Sequence, residues 1–559
     1  MYAVCCYQKP FHQFGFTLIY CLCSMKLYLL SLFLGSIWSV NAQVSPTQGR
    51  IVPIPKEITY TGQTLEIDPN EFQYVTSTKC DVVIQALKRY KKLPFLPLIQ
   101  PSNDPRWTTR WNDVQPESVK LAKLVVNLNS PEGCEKSPHL DMDESYELIV
   151  NGNGNGSTLS AKTDWGILRG LESFSQLVYS HEGKWYLNSV NIHDSPRFSH
   201  RGLLLDTSRH FLPKNSLLKN LDLMAQNKLN IFHWHIVDDQ SFPYQSTLFP
   251  NLSGKGAYTP KHIYTPSDIK EIIEYGRLRG IRVIPEFDTP GHTQSWGKGQ
   301  PKLLTQCYSK GKPSGTYAID PTNWANYDFL LALLKEVLGV FPDQYIHLGG
   351  DEVSFDCWKS NPKISEYMKQ WNFTDYAQLE QQYIQRLLAL VERARNNTGY
   401  MVWQEVFDNG VQVRPDTVIH EWKSGNSSIR GWEMGNITSK GLRAVTSSCW
   451  YLNYINYGLD WAPYYACDPQ DFNGTNRQKS LVMGGEVCMW GEYVDATNLI
   501  SRTWPRASAV AERLWSPKTQ TDKEEFSHRF EEHRCRLLGR GFPVEPVNGP
   551  GFCPHEWNS

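Results

Sequence analysis

The feature that most limits the fold is a regular alternation of short apolar runs with amphipathic segments, from about residue 200 to residue 490. The runs are rich in β-branched, aromatic and leucine residues, and they are short enough to be buried strands. Most of the intervening segments have apolar residues at three- and four-residue spacing, which predicts helices. The eight runs are GLLLDTSR (202–209), IFHWHIVDD (231–239), IRVIPEFD (281–288), YIHLGGDE (345–352), MVWQEV (401–406), TVIHEW (417–422), AVTSSCWYL (444–452) and LVMGGEVCMW (481–490).

This alternation predicts an α/β protein built around a (β/α)8 TIM barrel, because eight strand-then-helix units close a parallel sheet on itself. The segments after the sixth and seventh runs have weaker helical patterns, so we expect an irregular barrel. A chain of 559 residues exceeds one compact core, so a second domain is expected. We predict that residues 43–198 form a smaller α/β domain with an antiparallel sheet and that residues 199–559 form the barrel.

Residues 1–42 have the pattern of a secretory signal. A lysine precedes the largely apolar stretch LYLLSLFLGSIW, and Val40 and Ala42 are the small residues expected before a cleavage site. Met25 is an alternative start, with a shorter apolar run upstream of it. Neither run reaches the roughly 20 residues of a transmembrane helix. We therefore expect a protein of the secretory pathway, lysosomal or secreted, without a stable membrane span.

The cysteines and the sequons agree with secretion. Nine of the 13 cysteines follow residue 42, and none of the nine shows metal-binding spacing such as C-x-x-C, so disulfides are the expected state. Nine is an odd number, and Cys488 lies in an apolar run, so we predict that Cys488 is a free thiol. Seven Asn-X-Ser/Thr sequons are predicted glycosylation sites: Asn155, Asn251, Asn372, Asn396, Asn426, Asn436 and Asn473.

The chemistry is expected at the carboxyl ends of the strands, where barrel enzymes carry their active sites. Carboxylates among Trp and Tyr side chains favour a sugar-binding pocket, because carboxylates bond hydroxyls and aromatic faces cover the apolar side of the ring. The 56 basic and 57 acidic residues nearly balance, so no nucleic-acid partner is predicted. The strand ends carry, in order, Asp206 and Arg209; Asp238 and Asp239; Glu286, Asp288 and His292; Asp351 and Glu352; Trp403 and Glu405; Trp422; Trp450 and Tyr451; and Trp490 and Glu492.

Asp351 and Glu352 form an adjacent pair of carboxylates at the end of the fourth run. Glycosidic cleavage usually needs two carboxyl groups on opposite sides of the bond, whereas neighbouring side chains on a strand point opposite ways. The pair fits better if the substrate's own 2-acetamido group attacks the anomeric carbon. One carboxylate would then steer the acetamido N–H, and the other would protonate the leaving oxygen.

Seven long motifs resemble those of glycoside hydrolase family 20, and in particular those of the lysosomal-type β-N-acetylhexosaminidases of animals. The resemblance covers nearly all of the chain after residue 42. It implies removal of terminal non-reducing β-linked N-acetylglucosamine or N-acetylgalactosamine from oligosaccharides, glycoproteins or glycolipids. It also implies retention of configuration, with an oxazolinium intermediate formed by the 2-acetamido group, and no metal or cofactor. The motifs are LLLDTSRHFLP, NIFHWHIVDDQSFP, PEFDTPGHTQSWG, HLGGDEV, WQEVFDN, CWYLNYINYGLDW and GGEVCMWGEYVD.

The resemblance also implies roles for individual residues. Glu352 would be the general acid and then the general base, and Asp351 would orient the acetamido group, whose carbonyl oxygen Tyr451 would bond. Asn453 precedes Tyr454, where the family subunit that accepts sulfated or sialylated substrates has an arginine, so we expect neutral substrates. The other implied substrate-binding residues are Trp403, Trp422 and Trp490 around the acetamido group, Arg209 and Glu492 at the ring hydroxyls, and Asp238 and His292 beside the acid.

The resemblance further implies a dimer, which we predict to be a homodimer, and a set of disulfides. Three pairs match the family's bridges, and we expect a fourth between two cysteines outside the mammalian pattern. The three are Cys80–Cys134, Cys307–Cys357 and Cys535–Cys553, and the fourth is Cys449–Cys467.

Three alternatives stay open from the sequence. His233 and His235 are two positions apart on a predicted strand, so both imidazoles lie on the same face. Together with His292 and Asp238 they would form the metal site of a hydrolase. A lectin-like glycan receptor would use the same fold without catalysis, although it would not need a proton donor at position 352. An ordinary barrel glycosidase would use a carboxylate nucleophile such as Glu286 or Glu492.

Overall fold

A computed structural model describes residues 49–96, 119–130, 133–152, 156–181, 183–454, 456–553 and 556. The predicted signal, residues 1–42, and the sequon at Asn155 lie outside this part of the chain. No helix within it has the length and apolar character that crossing a membrane requires.

The N-terminal part is an eight-stranded sheet in the order β2-β4-β6-β5-β8-β1-β3, with β7 also paired to β8. We predicted an antiparallel sheet, and the observed sheet is mixed. The β1–β3, β2–β4 and β4–β6 pairs are parallel, and the other four pairs described are antiparallel. The strands are β1 Glu57–Ile67, β2 Gln73–Val75, β3 Val119–Lys120, β4 Lys123–Leu128, β5 Tyr146–Val150, β6 Ser157–Ala161, β7 Tyr179–His181 and β8 Lys184–Asp194.

Two helices, α1 (Asp81–Tyr90) and α2 (Asp164–Leu177), and a 3-10 turn, Leu93–Phe95, accompany this sheet. Every residue of α2 is buried, because the helix lies between the sheet and the barrel. Ion pairs join the two layers: the buried Glu144 carboxylate contacts Arg169 of α2 at 2.7 Å and Arg201 of the first barrel strand at 2.6 Å.

The predicted TIM barrel is confirmed as a closed parallel barrel of eight strands in the order β10-β11-β14-β15-β16-β17-β18-β9. A hairpin of β12 (Leu304–Ser309) and β13 (Lys312–Ile319) interrupts the path between the third and fourth barrel strands. The barrel strands are β9 His200–Asp206, β10 Ile231–Val237, β11 Arg282–Phe287, β14 Tyr345–His347, β15 Gly399–Trp403, β16 Val418–Glu421, β17 Arg443–Thr446 and β18 Val482–Met489.

Helices surround the barrel and bury their apolar faces against it in one continuous core. The helices predicted between the barrel strands are present in the structure. The helices are α3 Lys214–Gln226, α4 Asn251–Gly256, α5 Pro266–Arg277, α6 Gln294–Gly299, α7 Trp324–Val340, α8 Asp356–Ser360, α9 Pro362–Gln370, α10 Tyr376–Ala394, α11 Gln404–Asp408, α12 Ser427–Ser439, α13 Trp461–Ala466, α14 Asn476–Ser480, α15 Leu499–Thr503, α16 Arg506–Trp515 and α17 Lys523–Gly539.

The expected irregularity is present after the seventh strand, where α13 and α14 have only six and five residues. It is absent after the sixth strand, where α12 has 13 residues. The apolar periodicity of α12 is weak, so the sequence predicted only a weak helix there. The helix is started by its N-cap residue, which an analysis of periodicity does not detect. Asn426 accepts the Ile429 N–H at 3.0 Å.

Candidate active site

The loop that carries Asp351 and Glu352 leaves β14 through two glycines that no other residue could replace. Gly349 and Gly350 have φ angles of 68° and 95°. A Cβ atom on Gly349 would lie 1.7 Å from Oδ1 of Asp288. Gly350 donates its N–H to the same oxygen at 2.8 Å. The buried Asp288 carboxyl thus holds the loop against the top of the barrel.

Both carboxylates of the pair reach the same side of the barrel mouth. Nε2 of His292 lies 3.9 Å from Oδ2 of Asp351 and 3.7 Å from Oε2 of Glu352. Strand alternation would have separated them, but β14 ends at His347, so both residues lie in the loop. Glu352 has a left-handed φ of 53°, which is strained for a non-glycine residue and typical of functional sites.

The two carboxylates differ in exposure. Asp351 is 9% exposed, and its Oδ1 has no hydrogen-bond partner among the described residues. The side chain of Glu352 is 59% exposed. The Glu352 side chain is therefore open to water in the free protein.

Asp288 is a buried partner of Asp351 that the sequence did not single out. Burial, and then the charge of Asp351, raises the pKa of Asp288 well above its usual value. Burial and the charge of Asp351 thus favour the neutral form of Asp288, whereas the nearby His292 opposes it.

Asp238 forms ion pairs with three basic side chains of the site. Its Oδ2 lies 2.9 Å from Nη2 of Arg209 and 2.7 Å from Nε2 of His235, and its Oδ1 lies 3.2 Å from Nδ1 of His292. Although burial opposes ionisation, the hydrogen bonds from His235 and His292 and the charge of Arg209 hold the pKa of Asp238 well below its usual value. Asp238 is thus a fixed anion that aims Arg209 and His292.

His292 is charged in this arrangement. Burial alone would lower the pKa of its ring, but the carboxylates of Asp288 and Asp351 and the hydrogen bond to Asp238 raise it well above the usual value. The Nε2 atom of this imidazolium faces the carboxylates of both Asp351 and Glu352.

Four aromatic side chains wall one side of the mouth. Ring centroids of Trp403 and Trp490 are 5.9 Å apart, those of Tyr451 and Trp490 are 6.4 Å apart, and those of Trp422 and Tyr451 are 6.3 Å apart. Buried carboxylates fix two of the indoles. Trp403 donates Nε1–H to Glu286 at 2.7 Å, and Trp422 donates Nε1–H to Glu405 at 2.8 Å.

The remaining predicted residues lie around the rim. Arg209 contacts Trp490, with its guanidinium carbon 5.1 Å from a ring centroid. Glu492 is exposed and near enough to Arg209 to act on it electrostatically. Asn453 is half-buried, and its Oδ1 has no hydrogen-bond partner in the described chain. Tyr454 stacks on Tyr451 at 5.7 Å.

The structure argues against His233 and His235 as metal ligands. Nδ1 of His233 lies 2.8 Å from Glu486, and its Nε2 lies 3.1 Å from Glu286. His235 contacts Glu286 through Nδ1 at 2.5 Å and Asp238 through Nε2. Carboxylate oxygens lie within 3.1 Å of the nitrogens of both rings, so these histidines take part in a buried ion-pair network in the barrel.

Neither proposed nucleophile is suitably placed. Glu286 is fully buried and already bonded to His235 and Trp403, so its carboxylate cannot reach a sugar. Glu492 is an exposed rim residue after β18. The geometry thus disfavours an ordinary carboxylate nucleophile.

The sequence did not assign roles to Asp288, Glu405 and His235, although each stands in or directly after a predicted strand. The sequence showed where these residues stand relative to the predicted strands, but it did not show which residues they contact. Asp288 and Asp351 are 63 positions apart, and His235 meets Glu286 across 51 positions. Only the closed barrel brings such pairs together.

The disulfides match the expected pairing, and Cys488 is a buried free thiol in the described chain. The four bridges are Cys80–Cys134, Cys307–Cys357, Cys449–Cys467 and Cys535–Cys553.

A pH effect on stability follows from two buried carboxyl groups behind the site. Burial, and then the charge of Asp351, raises the pKa of Glu405 to about 7. Burial, and then the charge of Glu405, raises the pKa of Glu380 to about 8. The folded protein therefore binds these protons more tightly than the unfolded chain does. Their contribution to stability is fully present below the unfolded pKa of 4.5 and is lost as the pH rises through 7 and 8.

We expect these two carboxyl groups together to lower the free energy of unfolding by about 5 kcal/mol between pH 5 and pH 7.5. Below pH 4 the trend reverses, because Asp238 and Glu286 have lowered pKa values and must then be protonated. Calorimetric melting temperatures measured across this range check the prediction. Glu380→Gln should flatten the decline, whereas the exposed control Glu366→Gln should not. An equal decline in both variants would contradict it.

Comparison with known proteins now identifies the family. Residues 198–518 match the model of the glycosyl hydrolase family 20 catalytic domain. Residues 51–177 match a model described as beta-acetyl hexosaminidase like. The chain belongs to glycosyl hydrolase family 20. Its barrel and its N-terminal sheet are therefore those of a glycoside hydrolase of the β-N-acetylhexosaminidase type.

Relatives of this glycoside hydrolase match almost from end to end. The chain is 47% identical over 526 residues to the beta-hexosaminidase subunit beta of Mus musculus, covering 92% of this chain and 95% of that relative. It is 48% identical over 514 residues to the beta-hexosaminidase subunit alpha of Rattus norvegicus, covering 90% and 95%. Among solved structures, a chitobiase of Flavobacterium johnsoniae superposes with a TM-score of 0.75 at 29% identity, covering 88% of this chain and 73% of that one.

Proposed function

We propose that the enzyme removes terminal non-reducing β-linked N-acetylglucosamine and N-acetylgalactosamine with the substrate's 2-acetamido group as the nucleophile. The acetamido oxygen attacks the anomeric carbon while Glu352 gives its proton to the departing glycosidic oxygen. The resulting oxazolinium is opened by water, which loses its proton to Glu352. Two displacements at one carbon retain its configuration.

The observation that carries this proposal is the placement of Asp351 and Glu352 on one side of the mouth, both within 4.0 Å of one His292 nitrogen. Two carboxylates placed in this way can act on two groups of the same sugar, its acetamido group and its leaving group. Asp351, buried and with an unbonded oxygen, accepts the acetamido N–H, while the exposed Glu352 meets the leaving group. The acetamido group itself completes the displacement, so no third carboxylate is needed.

The aromatic residues and the rim complete the proposed assignments. Tyr451 donates its hydroxyl to the acetamido carbonyl, and its ring closes the pocket with the indoles. The other proposed contacts are Trp403, Trp422 and Trp490 to the acetamido methyl, Arg209 and Glu492 to the ring hydroxyls, Asp238 and His292 to the acid and its neighbour, and Asn453 to the sugar at the rim.

We propose neutral glycans as the substrates. The exposed Tyr454 stacks on Tyr451 at the rim, where a cationic side chain would be needed to bind a sulfate or a sialic acid carboxylate. Arg209, the guanidinium among the proposed substrate-binding residues, is already paired with Asp206 and Asp238. An anionic group at Arg209 would therefore also meet these two carboxylates.

The wider organisation is also proposed. The proposed parts of the chain are a signal at residues 1–42, a domain at 43–198 and the barrel at 199–559. The separate matches of two family models agree with the last two parts. The four disulfides favour the secretory pathway. Lysosomal or extracellular residence, a homodimeric assembly and glycosylation at the seven sequons complete this proposal.

Asp351→Asn is expected to lower kcat on an aryl N-acetyl-β-glucosaminide by about 10² to 10³-fold, because an amide lacks the charge that stabilises the acetamido N–H as it becomes cationic. The variant changes no volume, so folding should be preserved. The measurement is steady-state kinetics at pH 4 to 8, with the melting temperature as a check on the fold.

Asp356→Asn is the matched control, since its side chain is 90% exposed in the next helix along the chain. It should keep full activity. If Asp351→Asn also keeps full activity, Asp351 does not steer the acetamido group.

A further inference from the structure

A groove of about 610 Å³ lies on the outside of the barrel and shares no residue with the active site. Helix α12 forms one wall and the loop of residues 471–473 forms the other. The lining residues are Ser427, Ser428, Gly431, Trp432, Gly435, Asn436, Asp471, Phe472 and Asn473.

Two glycines on α12 allow the loop to lie close to the helix. A Cβ atom on Gly431 would be 3.2 Å from the Asp471 carbonyl oxygen, and one on Gly435 would be 3.7 Å from Phe472. Glycine inside a helix is unfavourable by roughly 1 kcal/mol relative to alanine. Helix and loop therefore form a close-fitting base, beside which the Trp432 side chain stands 66% exposed.

The chemistry of the groove suits a neutral sugar. Asp471 is the single charged residue among those that line it, and the rest contribute hydroxyls, amides, aromatic rings and glycine backbone. An exposed indole is unfavourable in water unless something apolar covers it. The C–H face of a pyranose ring can do so while its hydroxyls bond the polar rim.

Three sequons surround this one groove. Asn436 and Asn473 line it, and Asn426 begins the helix that forms its wall. Asn426 is engaged as the N-cap, and Asn436 is half-buried within the helix. Asn473 is exposed and lies in the loop, followed by Gly474 and Thr475, so its amide is the most accessible of the three.

We propose that Asn473 carries an N-linked glycan whose first N-acetylglucosamine residues lie in this groove against the indole of Trp432. The covalent link holds the sugar beside the groove at a high effective concentration, so even weak stacking is enough to seat it. The glycan is then a fixed part of the barrel's outer wall. It covers Trp432 and excludes another protein from this face.

The test uses the full chain made in a eukaryotic secretory host. Release of each glycan from the folded protein by an N-glycosidase is followed by site-resolved mass spectrometry. We expect release at Asn473 to be about tenfold slower than at Asn396, whose exposed sequon is not among the residues that line the groove. In Trp432→Ala the two rates should become equal. Trp324→Ala, which removes an indole 62% exposed elsewhere on the surface, should leave the difference unchanged.

Three results would overturn the proposal. Asn473 could prove to carry no glycan. Its glycan could be released as fast as the one at Asn396, or equally slowly with and without Trp432. Finally, Trp432→Ala could change the sedimentation coefficient of the assembly, which would mean that a second copy of the chain covers the groove.

Discussion

An aryl β-glucoside is expected to react with kcat/KM at least about 10⁴-fold below that of the matching N-acetyl-β-glucosaminide, because an intramolecular nucleophile has an effective molarity of about 10⁵ M or more. The two substrates share the leaving group and the ring hydroxyls and differ only at C2. The described site offers no substitute nucleophile, since Glu286 is buried and bonded to His235 and Trp403. The loss should therefore appear in the chemical step.

The measurement is the rate on paired aryl glycosides across pH 4 to 8. The 4-epimeric N-acetyl-β-galactosaminide is the control, because it keeps the acetamido group and should remain a good substrate. Rapid cleavage of the glucoside would contradict the mechanism. So would a trapped intermediate in which the sugar is bonded to an enzyme carboxylate.

Glu352→Gln is expected to lower kcat by about 10³-fold, which is within the usual contribution of a general acid. The loss should grow as the leaving group becomes more basic, because a good leaving group departs without a proton. Glu352 makes no close-packed contact that its amide would lose, since its side chain is 59% exposed. The melting temperature should therefore stay unchanged.

The control is Glu366→Gln on the exposed surface of α9, which should behave as the unmodified enzyme. The leaving-group series separates the catalytic role from a structural one. A variant at position 352 that lost activity equally on all leaving groups would show that Glu352 positions the substrate and does not protonate it.

Asp238 illustrates how far sequence reasoning reached. Its position after the second strand predicted that it lies at the barrel mouth, because all parallel strands of a barrel end on one face. The resemblance placed it beside the acid. Neither argument predicted that one carboxylate would pair with Arg209, His235 and His292 together, since these three partners come from different strands and loops.

Glu352 shows where the sequence misled. Neighbouring side chains on a strand would point opposite ways, but the loop after β14 turns through left-handed φ angles at Gly349, Gly350 and Glu352. That turn buries Asp351 and leaves Glu352 in water. Whether a non-glycine residue adopts a left-handed φ angle depends on the packing around it and cannot be read from the residue type.

The order of strands and helices, the closed barrel and the side chains at its mouth were determined by the sequence alone, because hydrophobic period and strand polarity are local properties. The parallel pairs in the N-terminal sheet, the raised pKa of Asp288 and the common orientation of Asp351 and Glu352 were decided by the tertiary structure. These features depend on burial and on contacts between residues far apart in the chain, and such contacts exist only after the barrel closes.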